Sequence, residues 1–269
     1  MSQPRVDVQV EDHVATVTLS RPEKHNALDG AMFEGIIAAA AQVGRTPGVR
    51  AVVLHGAGPS FCSGLDVASL MSGAEGALTL EDVLAREEGQ RANVVQRVCT
   101  DWIDLPVPVI AAVHGNCFGG GLQIALGADV RIVAPDARLS VMEIHWGLIP
   151  DMGLTSTLPK LVRADVAREL TYTARRVPGA EAVELGLATR VADDPLAAAT
   201  ALAREIAGRS PDAVRAAKRL LNEVDALTDA EALVLETDLQ RTLIGSPNQI
   251  AAVTAGMTRQ PGEFTDPEV

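Results

Sequence analysis

The chain opens on two stretches in which apolar and polar positions alternate. Val6-Asp-Val-Gln-Val10 and Val14-Ala-Thr-Val-Thr-Leu19 flank Glu11-Asp-His13, and a period of two on both sides of a short polar break predicts an antiparallel hairpin. Ser20 to Leu28 is polar, and Pro22 rules out a continuing central strand. Asp29 is a good N-cap for a helix over Gly30–Val43 that stops at Gly44. The pattern then changes. Arg50-Ala-Val-Val-Leu-His-Gly56 and Val109-Ile-Ala-Ala-Val113 are apolar runs without alternation, which is how strands buried on both faces read. Leu122–Leu126 is apolar at most positions and rich in helix formers, so it predicts a buried helix.

The remaining stretches are read in the same way. Ser69–Ala77 contains Gly73 and Gly76 and has no period, predicting a loop. Thr79 or Glu81 opens a long helix to about Trp102. Asp129–Ala134 is a strand, Pro135-Asp136 a turn, and Leu139–Glu143 extends again. Gly147–Gly153 is a fixed loop, Thr155–Arg168 a helix interrupted at Pro159, Ala180–Gly186 a short helix and Ala188–Val191 a last strand. From Pro195 the composition shifts. Pro195–Arg209, Pro211–Val224, Asp229–Leu243 and Pro247–Met257 are four helical patterns separated by Ser210-Pro211, Thr228 and Ser246-Pro247. The chain therefore divides into a mixed α/β region, 1–194, and a helical region, 195–269.

Gly119, Gly120 and Gly121 lie between the second buried strand and the buried helix. Three glycines together destabilise any regular element, so their value lies in close backbone approach. A strand, a glycine turn and a helix start present unpaired N–H groups and the positive end of the helix dipole. That arrangement suits developing negative charge. A tight turn packed on a neighbouring strand is the alternative. Nucleotide-binding signatures do not fit, because neither G-x-G-x-x-G nor Gly-Lys-Ser/Thr occurs here.

Composition narrows the class. The 269 residues are 47% hydrophobic but only 3% aromatic, so the core is built from Ala, Val, Leu and Ile. A net charge of -12 argues against nucleic acid as a partner, though not against a small anion held by local Lys or Arg. No apolar segment reaches the ~18 residues of a membrane helix, and no signal-peptide pattern opens the chain. Cys62, Cys99 and Cys117 are spaced neither as a zinc site nor as a disulfide framework. A cytoplasmic protein with no membrane partner and no metal is expected.

Four blocks carry a resemblance. Arg21-Pro-Glu-Lys-His-Asn-Ala-Leu28, Phe61-Cys-Ser-Gly-Leu-Asp66, Gly115–Gln123 and Glu143–Gly153 resemble, in order and spacing, the crotonase or enoyl-CoA hydratase/isomerase superfamily. The resemblance implies an α/β fold of the crotonase type. A spiral of ββα units over 1–194 would hold the coenzyme A and catalytic sites. The helices of 195–269 would pack on neighbouring subunits of a homotrimer or a dimer of trimers. It implies an acyl-CoA thioester as partner, with coenzyme A entering as part of the substrate and no bound cofactor. Under it, the backbone N–H groups of Leu65 and Gly120 form an oxyanion hole for the thioester oxygen. Lys24 and His25 border the nucleotide end of coenzyme A, and Lys24 meets a phosphate. Ala27, Ser63 and Asp66 join them as substrate or coenzyme A positions. The region after Asp66 shapes the acyl pocket.

The titratable residues refine the chemistry. Family hydratases use two glutamates, and Glu143 matches one, at the end of the strand after the central helix. The position of the other is Gln123, which orients a substrate or water without taking its proton. Asp151 matches an aspartate of the family's dienoyl-CoA isomerases, which also keep an acid where Gln123 stands. Monoenoyl-CoA isomerases work with one glutamate at the Glu143 position. His145 shares a face with Glu143 if the strand continues, and is otherwise structural. Cys62 and Cys117 read as small buried hydrophobes. The expected activity is double-bond isomerisation of an enoyl- or dienoyl-CoA, with Glu143, Asp151 and Gln123 as the catalytic set. Two alternatives stay open: an enoyl-CoA hydratase of the fatty-acid β-oxidation type, and a non-catalytic acyl-CoA binder. A Clp-type peptidase is disfavoured, since no G-x-S-x-G elbow or Ser–His–Asp set is visible.

Overall fold

A computed structural model describes residues 4–67, 84–86 and 88–267. The opening hairpin is present: β1 (Val6–Glu11) pairs antiparallel with β2 (Val14–Leu19). Asp29 caps α1 (Gly30–Arg45) by accepting from Met32 N at 2.9 Å. The helix runs past Gly44, and Thr46 is its C-cap. β3 (Ala51–Gly56), β4 (Val109–Val113), β6 (Val130–Val133) and β9 (Arg190–Val191) continue the sheet in parallel, in the order β1-β2-β3-β4-β6-β9. A second sheet has the order β5-β7-β8, formed by Asn116–Phe118, Arg138–Ser140 and Val177–Pro178. The chain thus steps from large sheet to small sheet to helix, as in β4, β5 and α3 (Gly120–Leu126).

Both faces of the large sheet are covered, which is why β3 and β4 lack alternation. On one face Val52, Leu54, Ala111 and Val133 pack with Met32, Phe33 and Ile36 of α1 and Trp102 of α2 (Val94–Asp104). On the other, Val53, Ile110 and Ile132 pack with Ala199, Ala203 and Ala207 of α7 (Pro195–Ala207). Small alanines four apart let α7 lie close on the strands. Between α3 and α7 the chain forms α4 (Leu158–Leu161), α5 (Ala164–Thr173) and α6 (Gly179–Leu185). Three more helices follow: α8 (Pro211–Glu223), α9 (Asp229–Leu243) and α10 (Pro247–Thr258). Among the described residues no helix is long and apolar enough to cross a membrane.

Three expectations are corrected. The long helix to Trp102 is not continuous: residues 85, 86 and 88–93 are not helical, and α2 starts afresh at Asn93. Asn93 and Gln96 form a reciprocal capping box, with bonds of 2.9 and 3.0 Å, and such a box fixes a helix start. The expected start at Thr79 or Glu81 and the Ser69–Ala77 loop lie outside the described residues. The strand drawn through Glu143 ends at Ser140, and Glu143–Trp146 forms a 3-10 turn. The ladder stops because both neighbours run out: β5 ends at Phe118, where Gly119 turns into α3, and antiparallel β8 begins only at Val177, opposite Leu139. Finally, Thr155–Arg168 is a 3-10 turn over Leu154–Ser156, then α4, then the start of α5.

Candidate active site

Two loops form the floor of the site, and buried Asn26 holds the first of them. Its side-chain NH2 donates to the carbonyls of Ala57, Ser60 and Phe61 at 2.8–3.1 Å, and its Oδ1 accepts from Arg21 N at 2.8 Å. Asn26 has a φ of 55°, a conformation that asparagine tolerates better than most residues. Leu28 N then donates to Gly64 O at 2.8 Å, and Asp66 N to Leu28 O at 3.0 Å. Because the flanking residues face Leu28, the N–H of Leu65 points to the opposite edge. Cys62 stitches this loop to β5, donating to Asn116 O at 3.1 Å and accepting from Phe118 N at 3.0 Å.

The second loop is the glycine triplet. Gly119 has a φ of 51° and a ψ of −121°, a region for glycine only. A Cβ there would lie 3.2 Å from Glu143 Oε1. Gly120 is the first residue of α3, so its N–H has no intrahelical acceptor. A Cβ on Gly121 would come 2.4 Å from Cys62 O. The two loops therefore touch, and they do so only because the triplet has no side chains.

Above them lies a cavity of about 760 Å³. Its wall includes Leu65, Gly120, Ser63, Glu143 and Asp151, so five predicted positions from four segments meet there. His145 lines it too, from the 3-10 turn rather than from a continuing strand. Most of the rest is apolar: Phe33, Val95, Phe118, Trp146, Leu148, Ile149 and Met152. Arg176 adds a cation, its guanidinium 5.2 Å from the Phe118 ring centre. Sequence reasoning missed Trp146, Ile149 and Arg176, which no single motif connects to the glycines.

Glu143 is the buried carboxyl of the cavity, 9% exposed. Burial pushes its pKa up, the hydrogen bonds to it pull it down, and the nearby Asp151 carboxylate pushes it up further. Asp151 is also raised by partial burial. Gln123 does not line the cavity. It stands behind Glu143, donating from Nε2 to Oε1 at 2.6 Å. Its oxygen and one N–H of its amide are thus taken up inside the protein. The thiols of Cys62 and Cys99 are pushed up to about 12 by burial, and that of Cys117 also rises well above its usual range, so all three are inert hydrophobes.

The predicted coenzyme A positions lie on two paired segments, Lys24, His25 and Ala27 on one and Ser63 and Asp66 on the floor loop, and of these only Ser63 lines the cavity. Lys24 and His25 are exposed, with His25 Nδ1 at 2.9 Å from Ser60 Oγ. Ser63 N donates to His25 O. Ala27 is buried and its carbonyl accepts from Arg21. The Asp66 carboxylate pairs with Arg21 at 2.8 Å.

Residues 9–266 match the family model described as enoyl-CoA hydratase/isomerase. The chain belongs to the enoyl-CoA hydratase/isomerase family. It is 34% identical over 264 residues to a mitochondrial Delta(3,5)-Delta(2,4)-dienoyl-CoA isomerase of Rattus norvegicus, covering 93% of this chain and 78% of that one. A peroxisomal enzyme of the same description from Arabidopsis thaliana is 31% identical, covering 94% and 93%. Among solved structures, an enoyl-CoA hydratase from Mycobacterium tuberculosis superposes with a TM-score of 0.84 at 27% identity, over 98% of this chain and 99% of that one. Family membership gives the two sheets and the helical region a common description, the crotonase fold. The family acts on acyl-CoA thioesters.

Proposed function

We propose that this family member is a double-bond isomerase of enoyl-CoA thioesters, with a conjugating dienoyl-CoA shift as its best-fitting reaction. One observation carries this: two raised carboxyls, Glu143 and Asp151, share one apolar cavity with Leu65 and Gly120; on the resemblance, Gln123 stands where hydratases carry a second glutamate. Moving the double bonds of a 3,5-dienoyl thioester into 2,4 conjugation takes a proton from the carbon beside the thioester. It returns one four carbons further along the chain, at C6. Two carboxyls are suited to two such ends, one ionised as base and one protonated as acid. The electron pair left by the first proton moves into a trienolate spanning C1 to C6. Its oxygen accepts from Leu65 N and Gly120 N, and the second carboxyl then delivers its proton to the far carbon. Hydration needs a base for the incoming water, and an amide at 123 is none.

Lys24, His25, Ala27, Ser63 and Asp66 belong to the coenzyme A end on the same reading, and the C-terminal helices close a homotrimer. The similarity to dienoyl-CoA isomerases supports the choice. The test is incubation with 3,5-dienoyl-, 3-enoyl- and trans-2-enoyl-CoA, followed by absorbance for conjugation and by mass spectrometry for water gain. Isomerisation should outrun hydration, Glu143→Gln should abolish it, and Asp151→Asn should lower the dienoyl reaction about a hundredfold or more. Efficient hydration of a short trans-2-enoyl-CoA, unaffected by Asp151→Asn, would establish a hydratase instead.

A further inference from the structure

Gln123 is 1% exposed, and its two ends are not interchangeable. Its side-chain oxygen accepts from Met152 N at 2.9 Å and from Leu154 N at 3.2 Å. Backbone N–H groups only donate, so a flipped amide would set an NH2 against two donors. The NH2 end is therefore fixed toward Glu143, and it reaches Oε1 at 2.6 Å. An amide NH2 has no lone pair to accept with, so Oε1 cannot hold a proton directed at it. Glu143 Oε2 is buried and lacks a hydrogen-bond partner among the described residues.

We propose that Gln123 is a positioning residue that confines the exchangeable proton of Glu143 to Oε2, so that every proton Glu143 takes or gives passes through that one oxygen. Oε1 stays an acceptor throughout. When Oε2 takes a proton from a substrate carbon, the C–H electron pair remains on the substrate as enolate. When Oε2 returns a proton, an enolate electron pair forms the new C–H bond. The backbone N–H groups of Met152 and Leu154 thus set the direction of proton transfer through Gln123. A carboxyl at position 123 would undo this, because two carboxyls at that distance must share a proton.

Other ionisable groups around Glu143 do not take this role. Asp151 reaches it only through its charge, and His145 and Arg176 line the same cavity without a hydrogen bond to it among the described residues. Helix α5, which packs behind the 3-10 turn, carries Asp165, Arg168 and Glu169. Asp165 and Glu169 are paired with Arg163 and Arg175. Helix α3, which carries Gln123, has no charged residue.

Although the proposal rests on Glu143 serving as acid/base in the reaction above, its structural half can be read without substrate. The infrared band of the protonated Glu143 carboxyl is isolated by difference against Glu143→Gln and titrated in wild type, Gln123→Met and Gln123→Glu. In wild type the carbonyl is Oε1, and it accepts from Gln123. Gln123→Met removes that donor at similar volume, so the band should move to higher wavenumber. Its titration midpoint should rise by roughly one unit or more. With acyl-CoA, kcat should fall about tenfold and KM stay within roughly threefold. If Gln123→Met does not fold, Gln123→Glu, of native shape, should titrate in two steps with the upper one above the wild-type midpoint. An unshifted band and midpoint in a folded variant overturn the proposal, whatever the turnover. A shifted band in a protein that turns over no acyl-CoA upholds the proton placement and removes the isomerase reading.

Discussion

Glu143 is held between opposing forces. Burial disfavours its charged form, while the Gln123 amide favours it. Burial is the larger influence, so its folded pKa lies above the ordinary 4.5. The sign of the stability effect follows. Below pH 4.5 both folded and unfolded chains carry the proton, and the site contributes nothing. As pH rises past that value the unfolded chain ionises first. Stability is lost up to the folded pKa and stays lost above it. Glu143→Gln removes the titration and keeps an oxygen for Gln123 to donate to. The inactive variant should therefore melt above wild type at pH 8, with a gap that closes as pH falls toward 4.5. Thermal melts followed by circular dichroism measure this. A gap that stays constant with pH would mean that the ionisation of Glu143 is not its source.

Among the elements, α8 is fastened to the core by a buried cation. Lys218 Nζ donates to Trp102 O at 3.2 Å, Val107 O at 3.0 Å and Asp129 Oδ2 at 2.7 Å. The same carboxylate oxygen accepts from Val109 N at 2.7 Å, so one ion pair joins α2, β4 and α8. Lys218→Met leaves Asp129 without its counter-ion and should destabilise the fold by about 3–5 kcal/mol in urea unfolding. A loss under about 1 kcal/mol would mean that water replaces the ammonium. Helix starts of this kind were legible in the sequence: Ser210, Thr228 and Ser246 all accept from the backbone N–H three residues on. Strands β3 and β4 were legible because burial on both faces removes alternation. The end of β7 was not, since it depends on where Gly119 leaves β5 and on where β8 begins at Val177. Gln123 could be found as an anomaly in a motif, but its partners could not. Met152 and Leu154 reach it through the fold, across a loop that sequence alone does not aim.

At the scale of the molecule, the helical region has more apolar surface than one chain covers. Helix α9 has no buried residue, and Val234 on it is 60% exposed. Met257 on α10 is 82% exposed, and Ile244 and Ile250 are exposed beside it. Ala213, Ala217, Leu220 and Leu243 line a groove between α8 and α9. Contiguous apolar surface of this kind marks a protein interface more often than a free face. The net charge of -12 opposes association, but at physiological salt it is screened beyond about 8 Å, so apolar burial decides the outcome. The expected assembly is a trimer or a pair of trimers. Light scattering at micromolar concentration should give a mass of three or six chains. Val234→Glu and Ile250→Glu each place a charge where apolar contact is needed, without disturbing a buried core position. They should shift the mass toward that of one chain, while the single-chain fold persists by circular dichroism. A wild-type mass of one chain at that concentration, or trimers unaffected by both substitutions, would remove these helices from the interface.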